Sequence, residues 1–192
     1  MKEIELRIKI SDQELTVKKL VQKLLKNGYT EIKDYHQVDT YYKRKGLEDE
    51  QDIVGSFIYR IREQNRHGEN VVLATRKQTI KEGIWKENEI LLFDSHDQKS
   101  VEFIKRIFED GYSSIMIIDK ERKELKKKNI TLNIDKIIDL GLFIEAEILT
   151  EVENPSDEIL EKLREELGSF DSQIISKGYV QLMREKNDNI NS

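Results

Sequence analysis

The chain has 192 residues, of which 37% are hydrophobic and 37% charged, with a net charge of −5, three histidines and no cysteine. That length suits one substantial domain around a single core, and the regular spacing of the hydrophobic residues excludes a disordered chain. Without cysteine, disulfides, thiolate nucleophiles and cysteine-held zinc or iron–sulfur centres are excluded, and any metal must be held by oxygen or imidazole.

The acidic balance argues against nonspecific binding to a duplex, which needs a broad cationic surface. Two basic runs, Lys43-Arg44-Lys45 and Lys126-Lys127-Lys128, have no aromatics interleaved for base stacking and read as solvated turns. No early apolar run reaches the length of a signal sequence or a membrane span. The expectation is a cytoplasmic protein with neither nucleic acid nor membrane as partner.

In chain order, Glu3, Glu5, Arg7 and Lys9 alternate with Ile4, Leu6, Ile8 and Ile10, so an opening strand carries all its charges on one face. Ser11-Asp12 reads as a helix cap, and Leu15, Leu20, Leu24 and Leu25 as the apolar face of a helix ending near Asn27-Gly28. Strand pattern returns from Tyr35 to Tyr42. A polar, acidic loop follows from Gly46 to Gly55, and then Ser56 to Glu63, where Ile58, Arg60 and Arg62 share one face and Phe57, Tyr59 and Ile61 the other. After a hairpin turn over Asn65 to Asn70, Val71 to Gln78 places Thr75 and Lys77 together.

The second half repeats the order. Ile84 to Phe93 is a strand with Glu87 and Glu89 on one face; Ser95 to Asp110 is an amphipathic helix with Val101, Ile104, Ile107 and Phe108 as its apolar side and Gly111 just past its end. Three strands follow: Ile115 to Leu125 aligns Lys120 and Arg122, Ile130 to Ile138 carries Asp135, and Leu142 to Leu149 carries Glu145 and Glu147. Strand, helix and three strands therefore occur twice. A helix opened by Asn154-Pro155-Ser156-Asp157 and reaching about Leu167, and a last helical segment from Ile174 to Lys186, close the chain. Residues 1–186 read as one domain and the Asn-rich residues 187–192 as a loose tail.

Strand after strand presents a carboxylate pair or a cation pair at a spacing of two, with apolar residues opposite. Eight such antiparallel strands can close into a barrel with a polar interior and helices over the apolar outside. An open sheet with one wet face satisfies the same periodicity. Clustered carboxylates need compensation by metal ions or protonation, and without cysteine the matching ion is hard: magnesium, manganese or calcium. The arginines and lysines on other strands suit a ligand that is itself anionic, above all phosphate. A metal cradle facing a cationic wall is what phosphoryl transfer requires. The plainer alternative is a set of cross-strand surface ion pairs, each contributing roughly 0.2–1 kcal/mol.

Glu3-Ile4-Glu5-Leu6-Arg7 resembles the opening Glu-x-Glu-x-Lys signature of the CYTH superfamily, the triphosphate tunnel metalloenzymes. It is joined in order by Gln37-x-Asp39 with Tyr41-Tyr42, Arg60-x-Arg62-Glu63, Thr75-x-Lys77, Lys120-x-Arg122, Asp135 and Gly141-x-Phe143-Ile144-Glu145-x-Glu147. The resemblance implies an α+β fold, an eight-stranded antiparallel closed barrel or tunnel made of two β-α-β-β-β halves with flanking helices. It also implies Mg2+ or Mn2+ held by Glu3, Glu5, Asp135, Glu145 and Glu147. Arg60, Arg62, Lys77, Lys120 and Arg122, with Lys9 in addition, are the implied cations of a triphosphate-binding set, with Glu87 and Glu89 as further carboxylates beside it. Glu5, Arg7 and Lys77 are the implied catalytic residues.

Arg7 departs from the signature's lysine, and arginine does not serve as a base near neutral pH. Lys86 stands where members often have arginine, and Lys177-Gly178-Tyr179 loosely resembles a Ser-Tyr signature. Of the remaining conspicuous residues, His36 is placed either against substrate or on the surface, His67 and His96 in solvent, and Trp85 in packing. No Gly-x-x-x-x-Gly-Lys phosphate loop occurs, so phosphate binding rests on side chains.

The Gln37-x-Asp39-x-Tyr41-Tyr42 segment and the Gly-x-Phe-Ile-Glu-x-Glu ending resemble class IV adenylyl cyclase-like members most. The implied substrate is a nucleoside triphosphate or an inorganic or organic triphosphate, and a homodimer is compatible with the family. A tripolyphosphatase or thiamine triphosphatase, and a non-catalytic binder of polyphosphate or nucleotide, remain alternative readings of the same residues.

Overall fold

The computed structural model describes residues 2–11, 15–49, 53–66, 68–81, 84–93, 97–152, 157–170, 172–175 and 177–191, the side chains of 32, 66, 190 and 191 excepted. In chain order the elements are β1 (Lys2–Lys9), α1 (Val17–Lys26), β2 (Thr30–Arg44), β3 (Phe57–Arg66), β4 (Glu69–Lys81), β5 (Ile84–Phe93), α2 (Gln98–Gly111), β6 (Tyr112–Lys127), β7 (Ile130–Ile137), β8 (Gly141–Thr150), α3 (Asp157–Gly168), β9 (Ile174–Ile175) and α4 (Tyr179–Asn191).

Neighbouring strands are antiparallel in the order β5-β4-β3-β2-β6-β7-β8-β1, and β5 returns to pair with β1. The sheet is thereby a closed eight-stranded barrel, and the open-sheet alternative falls. The closing seam is short: Lys2, Glu3 and Ile4 face Lys86, Trp85 and Ile84. Farther along β1, β9 takes over the same edge, with Arg7 opposite Ile175 and Ile8 opposite Ile174. Between them, β5 and β9 pair much of the free edge of β1, which would otherwise offer unpaired N–H and C=O groups.

The strict alternation of β1 decides which side is core. Ile4, Leu6 and Ile8 point outward and are buried with Leu20 and Leu24 of α1, Leu132 and Ile134 of β7, Ile144 and Ala146 of β8, and Leu160, Leu163 and Leu167 of α3. Each fully buried leucine or isoleucine here contributes about 1.5–3 kcal/mol relative to exposure. A second apolar cluster lies under α2, where Tyr42, Ile61, Val72 and Val101 are buried and the Tyr59 and Tyr112 rings meet edge to face at 5.0 Å. A third joins Ile118, Ile137, Leu140 and Phe143 to Tyr179 and Val180 of α4. With the apolar side spent on three helix-covered patches, the charged side is left for the lumen.

Local signals place the helices with some shifts from the sequence reading. Thr16, not Ser11-Asp12, caps α1, its side chain accepting from the Lys19 N–H; Asp12 lies outside the described residues. Lys23 and Lys26 in the last turn suit the helix dipole, and Gly28 follows at φ +84, the left-handed conformation favoured after a helix end. Leu15 precedes the helix, and Leu25 is exposed rather than on the buried face. Asp97 caps α2 by accepting from the Lys99 N–H at 3.2 Å, so the helix begins at Gln98, three residues after the expected start at Ser95, which lies outside the described residues; Gly111 is the last helical residue, and Ile107 is half exposed.

The expected opening of α3 at 154–156 also lies outside the described residues, and α3 is described from Asp157. The expected helix from Ile174 instead splits into β9 and α4, which continues to Asn191 where a loose tail was expected. Lys43 and Arg44 end β2 rather than forming a solvated turn, and Lys43 is buried. Among the described residues no helix is long and apolar enough to cross a membrane.

Candidate active site

The inward faces of the eight strands enclose a cavity of about 900 Å³. Because the barrel wall is made of strands, a helix can reach the lumen only across a rim, and Gly178, Tyr179 and Val180 at the start of α4 are part of the lining. They pack beside the rim residues Ile118, Ile137 and Phe143. α4 therefore covers one mouth, and the opposite mouth is where β1 and β2 begin and β6 ends.

Beside α4, Arg7 on β1 is ion-paired with Glu5 and reaches Glu145 at 3.0 Å, register neighbours on β1 and β8. It also donates to the Lys177 carbonyl at 2.8 Å, and its guanidinium lies 4.4 Å from the Tyr179 ring centre. Burial works against this charge, but the Glu5 and Glu145 carboxylates hold Arg7 firmly protonated. On β6, Arg122 grips Asp135 through two bonds of 2.6 and 2.5 Å and reaches Glu145 at 3.0 Å. Lys120 donates to Asp135 at 3.2 Å, yet burial and then the nearby Arg122 push its pKa down to about 8.

Across the lumen, Arg62 holds Asp39 through bonds of 2.6 and 2.8 Å. Arg60 meets Glu87 at 3.2 Å, Glu89 at 3.0 Å and the Thr75 hydroxyl at 2.9 Å. Lys77 is ion-paired with Glu3 and lies 3.5 Å from Glu5 and 3.6 Å from Glu87, with its ammonium 4.9 Å from the Trp85 ring. Trp85 is thus both wall and cation platform. Gln37 donates to Gln64 at 2.6 Å, cross-strand partners on β2 and β3.

The structure brings together Glu3, Glu5, Arg7, Arg60, Arg62, Lys77, Glu87, Glu89, Lys120, Arg122, Glu145 and Glu147 around one lumen. Two predicted residues stand apart. Lys9 is exposed at the end of β1, its ammonium 5.8 Å from the Phe143 ring, and does not line the cavity. Asp135 is wholly buried behind Lys120 and Arg122 and does not line it either. His36 meets Asp119 at 2.8 Å on the outer surface, resolving its two readings toward the surface, and Lys86 is exposed. His67 and His96 lie outside the described residues. Asp39 belongs to a motif that assigns it no role, and its spacing of two from Gln37 puts it on the inward face; the role that spacing does not reveal is that of a wholly buried anchor for Arg62. Tyr179, between Arg7 and Lys120, has only the loose Ser-Tyr likeness as a sequence signal.

Two carboxylates, Glu3 on β1 and Glu147 on β8, are under-compensated. Burial, then the neighbours Glu5 and Glu87 against the pull of Lys77, raises the pKa of Glu3 well above the ordinary range. Burial, with Glu145 and Glu5 adding repulsion and Arg122 opposing, raises Glu147 to about 7. Glu147 and Glu5 are direct register partners, so an additional cation there would relieve both burial and repulsion. The set is all oxygen, as a hard divalent ion prefers. In the present arrangement the oxygens of Glu3, Glu5 and Glu145 are turned to Lys77, Arg7 and Arg122, and among the described residues no three acidic or histidine side chains converge on one point. Glu3, Glu5, Glu145 and Glu147 fit such an ion in chemistry and place; Asp135, enclosed by its two cations, does not.

A model of the CYTH domain matches residues 1–179. The chain belongs to the CYTH family. A relative from Methanocaldococcus jannaschii named "Putative adenylate cyclase MJ0240" is 30% identical over 186 residues, spanning 95% of this chain and 98% of its own. Among solved structures, the PH1819 protein of Pyrococcus horikoshii has the same fold, with a TM-score of 0.75, 22% identity and 96% and 99% of the two chains covered. So does HpAC1 of Hippeastrum, an adenylyl cyclase candidate described as having a dominant triphosphatase activity, with a TM-score of 0.60, 14% identity and coverage of 96% and 95%. The CYTH match spans both β-α-β-β-β halves and stops at Tyr179, the first residue of α4.

Proposed function

We propose that this CYTH protein is a divalent-metal-dependent enzyme that processes triphosphates inside its tunnel, of the class IV adenylyl cyclase-like kind, converting ATP to cyclic AMP and pyrophosphate. The observation that carries the reading is one enclosed lumen with carboxylates concentrated on β1 and β8 and cations on β3, β4 and β6. Glu3, Glu5, Glu145 and Glu147 would hold Mg2+ or Mn2+. When bound, such an ion neutralises phosphate oxygens and helps orient the chain for in-line displacement.

The protein's own contribution is binding and orientation. Arg60, Arg62 and Arg122 offer planar forks, and Lys77 and Lys120 point charges, to the non-bridging oxygens of three phosphates. Asp39 and Asp135 stand behind Arg62 and Arg122 and hold the forks at fixed angles. Arg7, held protonated, accepts no proton; it keeps Glu5 and Glu145 in place and supplies charge beside them. Lys77 reaches Glu3, Glu5 and Glu87 and so links the two walls. In the cyclase reaction the ribose 3′ hydroxyl loses its proton and attacks the α-phosphorus, and pyrophosphate leaves.

Hydrolysis, in which water attacks the terminal phosphorus, is the second reading. The lining favours it in one respect: of its four aromatic side chains, Trp85 faces the Lys77 ammonium, Tyr179 lies against Arg7 and Lys120, and Tyr41 is in hydrogen-bond reach of Asp39 at 3.4 Å, which leaves Tyr35, 6.0 Å from the Lys33 ammonium, as the ring most open to an adenine. A phosphorus NMR time course with ATP, tripolyphosphate and thiamine triphosphate, each with Mg2+ or Mn2+, separates the readings. Pyrophosphate with cyclic AMP from ATP supports the cyclase. Orthophosphate from any of the three supports the hydrolase, and binding without turnover overturns both in favour of a non-catalytic binder.

A further inference from the structure

On β7, Thr131, Asn133 and Asp135 share the inward face, opposite the outward Leu132 and Ile134 of the main core. Thr131 lines the cavity, whereas Asn133 and Asp135 do not, and both are buried, Asn133 with 1% of its surface exposed. Asp135 stands behind two cations of the lumen. Asn133 stands behind an anion: its Nδ2 donates to Glu147 Oε2 at 3.1 Å. The contact is diagonal across the β7–β8 pair, in which Asn133 faces Glu145 and Thr131 faces Glu147.

This contact differs from those of the other carboxylates suited to a metal. Glu3, Glu5 and Glu145 are ion-paired with Lys77, Arg7 and Arg122. Glu147 has no ion pair among the described residues, and its hydrogen-bond partner is a neutral amide. A lysine or arginine at position 133 would neutralise Glu147 as Arg7 and Arg122 neutralise Glu145. A carboxylate there would add repulsion to a side chain already short of compensation, and an apolar residue would leave it free to turn. A neutral donor fixes the orientation of the carboxylate and leaves its charge for a cation.

The other end of the amide shows that Asn133 is not there for the sake of folding. Its Oδ1 is buried without a hydrogen-bond partner among the described residues, which costs stability. Turning the amide over would set Oδ1 against a Glu147 oxygen, acceptor on acceptor, so the carboxylate dictates which end faces it. An apolar side chain of similar shape would be buried as well and strand no polar atom.

We propose that Asn133 is a positioning residue for the metal site: it acts through Glu147, holding Oε2 and leaving Oε1 as a ligand for a hard divalent cation. The proposal rests on the reading that Glu147 helps to hold Mg2+ or Mn2+.

The test is binding of Mn2+ alone to the intact protein, followed by loss of the free ion's EPR signal, with thermal unfolding of the metal-free protein alongside. Asn133→Leu resembles the native side chain in shape and removes both the donor and the stranded oxygen. We expect Mn2+ affinity to fall at least about tenfold while the metal-free Tm holds or rises. In a Glu147→Gln background, where the partner is already gone, the same substitution should change affinity by less than about twofold. An Asn133→Leu affinity within about twofold of the wild type, or an equal fall in both backgrounds, overturns the proposal. Should the metal-free Tm fall, leucine is not accommodated, and Asn133→Ala decides by the comparison of backgrounds alone. If the wild type takes up no Mn2+, the metal reading falls and this proposal with it; uptake that the Asn133 variants leave unchanged overturns the proposal and leaves the metal reading standing.

Discussion

Asp39 and Asp135 are the two acidic side chains of the tunnel that never meet the lumen, and each grips an arginine by two bonds while fully buried. Removing one partner of such a pair leaves the other charge buried and uncompensated, which costs about 3–5 kcal/mol. Asp39→Asn is expected to lower stability by that amount in urea unfolding. The pH dependence has a definite sign. Burial alone would raise the pKa of Asp39, but Arg62 and Arg60 outweigh it and hold the carboxyl well below its ordinary range. On acidification the unfolded chain takes up this proton first. The contribution of Asp39 is therefore fully present above the unfolded value of about 3.9 and is lost progressively as pH falls below it toward the depressed folded value. The Asn variant should lack that part of the stability curve.

Lys120 titrates in the opposite regime. With its pKa pushed down to about 8, it loses its charge as pH rises through that value, and kcat/KM, which reports the free enzyme, should fall there. Lys120→Arg keeps its charge and should flatten that alkaline limb, measured as kcat/KM from pH 7 to 9.5 (a span set around the Lys120 value). The charged types and their alternation at these positions were legible in the sequence. Which carboxylate faces solvent-filled space and which stands behind an arginine was not, because a period of two gives the face of a strand but not the depth of a side chain among its neighbours.

Among the elements, α4 ties the covered mouth to the rest of the fold. Arg184 donates to the Glu48 carbonyl at 2.7 Å and Lys186 to the Asp139 carbonyl at 2.5 Å, while Tyr179 packs edge to face on Phe143 with ring centres 5.3 Å apart. The Tyr179 hydroxyl is buried and has no hydrogen-bond partner among the described residues. Tyr179→Phe is accordingly expected to leave stability unchanged or to raise it by up to about 1 kcal/mol. Tyr179→Ala, which empties the space between Arg7, Lys120 and Phe143, should lower it by about 3–5 kcal/mol. Thermal unfolding of the two variants checks both, and the reverse ranking would remove Tyr179 from its anchoring place. The strands were readable because each carries a long alternation, and α1 to α3 because leucine or isoleucine recurs at helical spacing. β9, two residues long, has no period to read. Its strand character comes from the edge of β1 beside it, and the helix that was expected to begin there is displaced to Tyr179.

At the scale of the whole molecule, the barrel pairs most of its lumenal charge and leaves Glu3 of β1 and Glu147 of β8 short of compensation. Metal with triphosphate should therefore stabilise the protein as a ligand of the native state alone. At about 100 times Kd the gain is about 2.7 kcal/mol, or a rise in Tm of about 5–10 °C for a chain of this size. Chelation should abolish the rise, and the double substitution Glu145→Gln, Glu147→Gln should remove its metal-dependent part and cut turnover at least roughly a hundredfold, since losing even an outer-shell partner of a metal ligand costs 10–100-fold. Full activity in that double variant would sink the metal assignment.

Taken alone, the sequence determined the repeated strand–helix–three-strand order, the inward and outward faces of every long strand, and the residue types of a phosphate and hard-metal site, because these follow from periodicity and side-chain chemistry along one strand. Only the tertiary structure decided that the sheet closes, since three register pairs between β1 and β5 join residues about eighty positions apart. It also decided that Asp135 lies behind its cations and that Lys9 falls outside the lumen. Each of these depends on which strands stand side by side and how far along them the neighbouring chains reach, and long-range pairing of that kind leaves no mark in the local pattern of any one strand.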